Sequence, residues 1–231
     1  MINKNVFTNE EIDEIKKEVS KLLNEPDRKD FIWKYYEAYN KDLVNRIEYF
    51  VKFSPLLKKI SEKFLKEDYI LMKDKINFKY PQGEGFIAHQ DITAGWGKYG
   101  KNHINIAIPL QETNIENGCL YIADINEKKM LTPERTDLSD DIVHPNLYKP
   151  VITKKGDIIK FDSYTPHKSF KNNTQEPRII IYFTYVQKDI YHDESVYEDY
   201  HRDKFNAVPP DIYKVKGKEY RCGNTNVLRK F

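Results

Sequence analysis

Apolar positions recur at helical intervals near the start of the chain, then give way to the short alternating or continuous runs of β-strands. In TNEEIDEIKKEVSKLLNE, residues Ile12, Ile15, Val19, Leu22 and Leu23 fall on one face of a 3.6-residue period, with Thr8 and Glu11 in capping-box relation ahead of them. The spacing predicts an amphipathic helix. A second helical stretch is expected over 41–66, through Leu43, Val44, Ile47, Phe50 and Val51, broken at Ser54 and Pro55 and resuming at Leu56, Leu57, Ile60 and Phe64. After Tyr69 the runs YILMKDKINFKY, HINIAIPL, CLYIAD, GDIIKFDSY and RIIIYFTYV read as strands separated by Gly, Asn and Pro.

No helical pattern separates these strands, which excludes a parallel α/β sheet and leaves an antiparallel barrel or sandwich. The expected fold is mainly β with N-terminal helices: a double-stranded β-helix (jelly-roll, cupin-like) core covered by helices. The chain is expected to form a single domain over 1–231, with helical support at 1–68, the jelly-roll core at 69–190 and a C-terminal extension at 191–231. The turn-rich stretch between Asn126 and Lys155 is expected to cross one end of the barrel, and loops of that length tend to be functional.

Charge narrows the function classes. Across 231 residues, 38 Lys and Arg nearly balance 36 Asp and Glu, so no basic surface argues for nucleic acid. Two cysteines, Cys119 and Cys222, make neither a disulfide framework nor a cysteine zinc site, and a reducing compartment follows. Cys119, inside an apolar run, is expected to be a small buried hydrophobe. No apolar run approaches a membrane span, and MINKNVFTNEEIDEIKK lacks the apolar centre of a signal peptide. The expectation is a cytoplasmic protein with a small-molecule substrate and no membrane or nucleic-acid partner.

The candidate chemistry begins at GFIAHQDITAGWG. Residues two apart in extended chain point to the same side, so His89 and Asp91 can reach one point, while Gln90 turns away into a structural role. Among the other histidines only His167, in GDIIKFDSYTPHKSF, sits at a strand-to-turn junction within a β-rich run. Two histidines and one carboxylate make the facial triad of non-haem Fe(II) oxygenases, and zinc tolerates the same set. Arg178, at the start of the following strand, separates the two: a guanidinium inside a barrel needs an anion. The distal carboxylate of 2-oxoglutarate supplies one through a bidentate pair.

HQD at 89–91, ENGCLYIAD at 116–124, GDIIKFDSYTPHKS at 156–169 and Arg178 together resemble the phytanoyl-CoA dioxygenase (PhyH-like) family of Fe(II)/2-oxoglutarate-dependent oxygenases, over about Asp74 to Val186. The resemblance implies that His89, Asp91 and His167 hold iron and carry catalysis. It implies that Arg178 and Ser169 hold the 2-oxoglutarate distal carboxylate, with Lys73 and Asn77 as further cosubstrate contacts and Lys75 facing the substrate. It further implies O2 as the oxidant and hydroxylation coupled to decarboxylation of 2-oxoglutarate to succinate and CO2. Retention of Asp91 favours hydroxylation over halogenation, for which related enzymes replace the carboxylate with a small residue. KDKINFKYPQGEGFIAHQD and YEDYHRDKFNAVPPD look like the 2-aminoethylphosphonate dioxygenases within this family, which implies a small zwitterionic substrate held by Lys75, Arg202 and Lys204.

Other histidines, His103, His144, His192 and His201, read as surface or hydrogen-bonded residues. HDESVYEDYH reads as a solvated acidic stretch or as a lid, and Trp96 as a pocket wall or as packing under a Gly loop. Hydroxylation of a free amino acid or an acyl group, and a non-catalytic jelly-roll sensor, remain the alternative functions.

Overall fold

The computed structural model describes residues 1–24, 33–37, 44–48, 64–65, 68–125, 127–206, 211–215, 218–222 and 227–230. In chain order the elements are β1 (Ile2–Asn3), α1 (Asn9–Asn24), β2 (Trp33–Glu37), β3 (Val44–Glu48), β4 (Tyr69–Lys79), β5 (Phe86–His89), β6 (His103–Pro109), β7 (Leu120–Ala123), β8 (Tyr148–Pro150), β9 (Ile158–Asp162), β10 (His167–Ser169), β11 (Arg178–Gln187), α2 (Ser195–Asn206), β12 (Asp211–Val215), β13 (Lys218–Cys222) and β14 (Val227–Lys230). A large sheet runs β1-β9-β6-β11-β4-β3-β2-β14-β13-β12 and a small one β5-β10-β7-β8. Every pairing is antiparallel. The five expected strand runs are β4, β6, β7, β9 and β11.

Helix α1 starts as its sequence requires. The Thr8 amide donates to Glu11 Oε2 at 2.8 Å and the Glu11 amide donates to Thr8 Oγ1 at 3.2 Å, a reciprocal capping box. The stripe of Ile12, Ile15 and Val19 is fully buried against Ile76 and Phe78 of β4, Ile106 and Ile108 of β6, Ile158 of β9, and Ile179, Ile181 and Phe183 of β11. Each of these three side chains contributes roughly 1.5–3 kcal/mol of apolar burial. The other face of the same strands meets the small sheet, where Ala107, Leu120, Ile159, Phe161 and Ile180 pack together. A sheet buried on both faces explains why RIIIYFTYV is nearly continuous in apolar character.

The helix expected over 41–66 is not what forms at its start. Val44–Glu48 is strand β3, paired from Val44 opposite Lys79 to Glu48 opposite Lys75. Without it the second edge of β4 would present unpaired amides and carbonyls, and closing that edge outweighs a helical spacing of five residues. Residues 41–43, 49–63 and 66 of that stretch lie outside the described residues.

A bulge at Met72 reorganises one end of β4: Thr184 faces Lys73 while Tyr185 faces Leu71. Met72 and Ile70 thereby join Ile92, Trp96, Tyr99, Val186, Val196 and Tyr200 in a second apolar cluster. That cluster docks α2, whose buried residues Val196, Tyr197, Tyr200 and His201 form a helical stripe made of aromatics more than aliphatics. Tyr191 donates to Asp199 at 2.9 Å, and Asp203 accepts from Lys98 at 2.6 Å and Tyr99 at 3.0 Å. The acidic stretch is therefore solvated on one side and packed on the other. No helix among the described residues is long and apolar enough to cross a membrane.

His103 and His201 are buried, His144 and His192 exposed. Burial pushes the His103 imidazole down to about 4 from 6.5, against the pull of Asp189 and Asp91. The folded chain keeps it neutral while the unfolded chain takes up a proton, so stability present above pH 6.5 is lost as pH falls toward about 4. In urea titrations across that window, His103→Gln is expected to give a shallower loss of stability with acid than the parent chain.

Candidate functional site

Strand β10 lies between β5 and β7, with His167 directly opposite His89 on one side and Ile122 on the other. This register sets the two imidazole centroids 4.3 Å apart. Asp91 is the first residue of a 3-10 turn, Asp91–Ala94, entered through an extended Gln90. One extended residue suffices to return Asp91 to the side of His89. Ligand-capable atoms of His89, Asp91 and His167 all lie within 4.8 Å of one another, the one such metal-capable group among the described residues.

Hydrogen bonds orient each member. His89 Nδ1 lies 2.7 Å from the Ile87 carbonyl and His167 Nδ1 3.0 Å from the Thr165 carbonyl. A carbonyl only accepts, so both protons sit on Nδ1 and both Nε2 lone pairs remain for a ligand. Those Nε2 atoms stand 3.8 Å from Asp91 Oδ1 and 3.8 Å from Asp91 Oδ2 respectively. Asn105 of β6 donates to Asp91 Oδ2 at 2.8 Å and in turn accepts from Thr184 of β11 at 2.7 Å. Burial pushes the His89 imidazole down to about 4, and neighbouring His167 pushes the same way. Burial alone would raise the Asp91 carboxyl, but His167, His89, Lys75 and Lys73 hold it well below the usual carboxylate range. A neutral imidazole at His89 beside an ionised Asp91 is the state in which such groups bind a divalent cation.

A cavity opens beside this cluster, with Lys73, Lys75, Asn77, Trp96, Phe161 and Tyr182 in its wall. The β4 side chains of residues 73, 75 and 77 face it, as alternation requires, while Ile76 and Phe78 face α1. Lys73 Nζ sits 4.9 Å from the Trp96 ring and 5.7 Å from that of Tyr200, and Lys75 Nζ 4.8 Å from that of Tyr182. Trp96 is thus pocket wall and packing residue together. Gln90 turns away: its amide donates to the carbonyls of Lys129 and Tyr164 and accepts from the Leu131 amide, tying the long crossing loop to the site.

Arg178 is 1% exposed, and burial lowers the pKa of its guanidinium. Its Nη2 donates to Asn77 Oδ1 at 3.2 Å and the Tyr182 side chain interacts with the guanidinium, while Nε and Nη1 make no hydrogen bond of good geometry among the described residues. Two orphaned donors on a buried cation beside the cavity fit an acceptor-only anion such as a carboxylate. Ser169 Oγ accepts from Lys79 Nζ at 2.8 Å and from the Phe86 amide at 3.2 Å. Lys79 was not anticipated from sequence, although it continues the 73, 75, 77 alternation and lies opposite Arg178 in the ladder. Arg202 is not brought to this cluster: it is exposed and paired with Asp199. The Lys204 backbone belongs to α2, and its side chain lies outside the description. Cys119 is buried as a free thiol.

Comparison with known proteins places these residues in context. The family described as Phytanoyl-CoA dioxygenase (PhyH) matches residues 1–180. A 2-aminoethylphosphonate dioxygenase from uncultured bacterium HF130_AEPn_1 is 35% identical over 67% of this chain and 58% of its own length. A methylphosphonate hydroxylase from Gimesia maris is 37% identical over 60% of this chain and 52% of its own. The chain therefore spans little more than half the length of these relatives. Among solved structures, EctD from S. alaskensis with 2-oxoglutarate and 5-hydroxyectoine superposes with a TM-score of 0.66 at 20% identity, covering 81% of this chain and 71% of that one. The epimerase SnoN from nogalamycin biosynthesis gives 0.64 at 15% identity, covering 81% and 78%. At these identities the likeness is one of fold, the jelly roll.

Removing the Asn105 side chain frees Asp91 to rotate. Asn105→Ala is expected to weaken divalent-metal affinity about 10- to 100-fold, measured by calorimetric titration with Mn(II), with little change in thermal midpoint of the metal-free protein.

Proposed function

The chain belongs to the phytanoyl-CoA dioxygenase family, and from that premise we propose that it is an Fe(II)/2-oxoglutarate-dependent hydroxylase of a small phosphonate. The observation that carries this reading is Arg178: a buried guanidinium with Nε and Nη1 unpartnered, hydrogen-bonded to Asn77 in the wall of the cavity that the His-Asp-His cluster also lines. Such a pair of features needs a cation at one point and a dicarboxylate reaching from it to the guanidinium. In this reading His89, Asp91 and His167 hold the iron, whose contribution is to activate O2 against a bound keto acid. Asp91 offers the anionic oxygen, and Asn105 with Thr184 keeps it aimed. Arg178, steadied by Asn77, and Ser169 bind the distal carboxylate, with Lys73 beside the keto-acid end. Trp96, Phe161 and Tyr182 exclude water from the reacting face.

The relatives bearing phosphonate names support the substrate class. Lys75 and Lys73 also support it, since both stand close enough to Asp91 to shift its titration and so bring positive charge to where an anionic head would lie. We take residues 1–231 as one domain acting in the cytoplasm on a small molecule, in keeping with a net charge of +2 and a buried, unpaired Cys119.

The test is succinate release from 2-oxoglutarate in air by the Fe(II)-loaded protein. It is run with methylphosphonate, 2-aminoethylphosphonate, free amino acids and acyl thioesters, with His167→Ala as blank. A phosphonate is expected to raise succinate at least about tenfold over the uncoupled rate, and the variant to abolish it. Stimulation by an amino acid or acyl thioester alone would overturn the substrate class. Tight binding of 2-oxoglutarate with no turnover on any of them would favour a sensor.

A further inference from the structure

We propose that Lys79 is a positioning residue that turns the Ser169 hydroxyl into an obligate hydrogen-bond donor, and thereby makes the inner end of the barrel select a carboxylate. The proposal rests on the reading that 2-oxoglutarate occupies the barrel with its distal end at Arg178.

A serine hydroxyl has one proton to give and two lone pairs to accept with. At Ser169 both lone pairs are engaged: Lys79 Nζ donates at 2.8 Å and the Phe86 amide at 3.2 Å. An ammonium and a backbone amide can only donate, so neither can accept the Ser169 proton. Ser169 is 3% exposed, which keeps bulk water from accepting it. The hydroxyl therefore faces its surroundings as a donor alone. Arg178, opposite Lys79 in the ladder and so on the same face, adds Nε and Nη1, also donors without acceptors. Three donors against one acceptor-only group describe a carboxylate, whereas an amide would turn its own N–H bonds toward one of them.

The surrounding backbone holds this polarity in place. Besides Ser169, Lys79 Nζ donates to the carbonyls of Phe170 and Gly118, binding the end of β10 to the turn before β7. Two glycines allow that approach. A Cβ at Gly85 would lie 1.9 Å from the Ser169 carbonyl oxygen, and one at Gly118, where φ is +70°, would lie 2.4 Å from the Phe170 carbonyl oxygen. Chain packed this closely on both sides fixes the backbone that carries Ser169 against Lys79.

The experiment measures keto-acid binding by calorimetry on the Ni(II)-loaded protein without oxygen, for 2-oxoglutarate and for 2-oxobutyrate, which lacks the distal carboxylate. Lys79→Met is expected to weaken 2-oxoglutarate about tenfold and to leave 2-oxobutyrate within about twofold. Ser169→Ala should lose the same factor, and the double variant no more than either alone, because both remove one donor. Lys79→Gln, which keeps one N–H toward Ser169, should recover part of the loss, and it carries the test if Lys79→Met does not fold. Equal weakening of both keto acids, or additive losses in the double variant, would overturn the proposal and leave Lys79 a purely structural clamp. Failure of the parent protein to bind 2-oxoglutarate at all would instead overturn the cosubstrate reading itself.

Discussion

Three residues of backbone, β10, set the geometry on which the site depends. Because this strand pairs along both edges, His167 stands opposite His89 and Ile122 at once, and a shift of one residue would turn the imidazole to the far side of the sheet. The irregular register that follows places Ser169 opposite Phe86, so the same short strand delivers a metal-capable nitrogen and a hydroxyl facing the inner end of the barrel. The long crossing loop supports this arrangement from outside through Gln90, whose side chain satisfies three backbone groups on two segments.

A cavity wall carrying Lys73, Lys75 and Asn77 is costly to bury, and the fold offsets that cost on the opposite face of the same strand. Ile76 and Phe78 alternate with Lys75 and Asn77 and pack under α1, while Asp74, between Lys73 and Lys75, is buried and accepts from the Tyr197 hydroxyl of α2. At the other end, the Met72 bulge lets Lys73 lie against Trp96 and Tyr200, tying α2 to the cavity wall. The electrostatic result is asymmetric. Asp91, held ionised, is the one carboxylate among the described cavity-lining residues, while Lys73, Lys75 and Lys168 bring three cations to the same wall among aromatic and neutral polar side chains.

Much of this was legible before any coordinates, and for identifiable reasons. The five strand runs and the stripe of α1 follow from periodicity, which depends only on local backbone geometry. His89 and Asp91 could be paired because they are two residues apart, and Lys73, Lys75 and Asn77 because alternation assigns them one face. His167 and Arg178 could be grouped with them by the chemistry that each required of the others. Helix α2 escaped because its buried stripe, Val196, Tyr197, Tyr200 and His201, is drawn mostly from residues that also suit a solvated surface.

What the tertiary structure alone decided are the matters of pairing across distant chain. Val44–Glu48 becomes a strand because β4 has an edge to close, a demand invisible within those five residues. Lys79 reads as one more surface lysine until the ladder sets it opposite Arg178 and its ammonium meets the hydroxyl of Ser169, 90 positions away. Local sequence determines which way a side chain points; only the assembled sheets determine what it meets there, since hydrogen-bond partners in a jelly roll come from strands that the chain visits far apart.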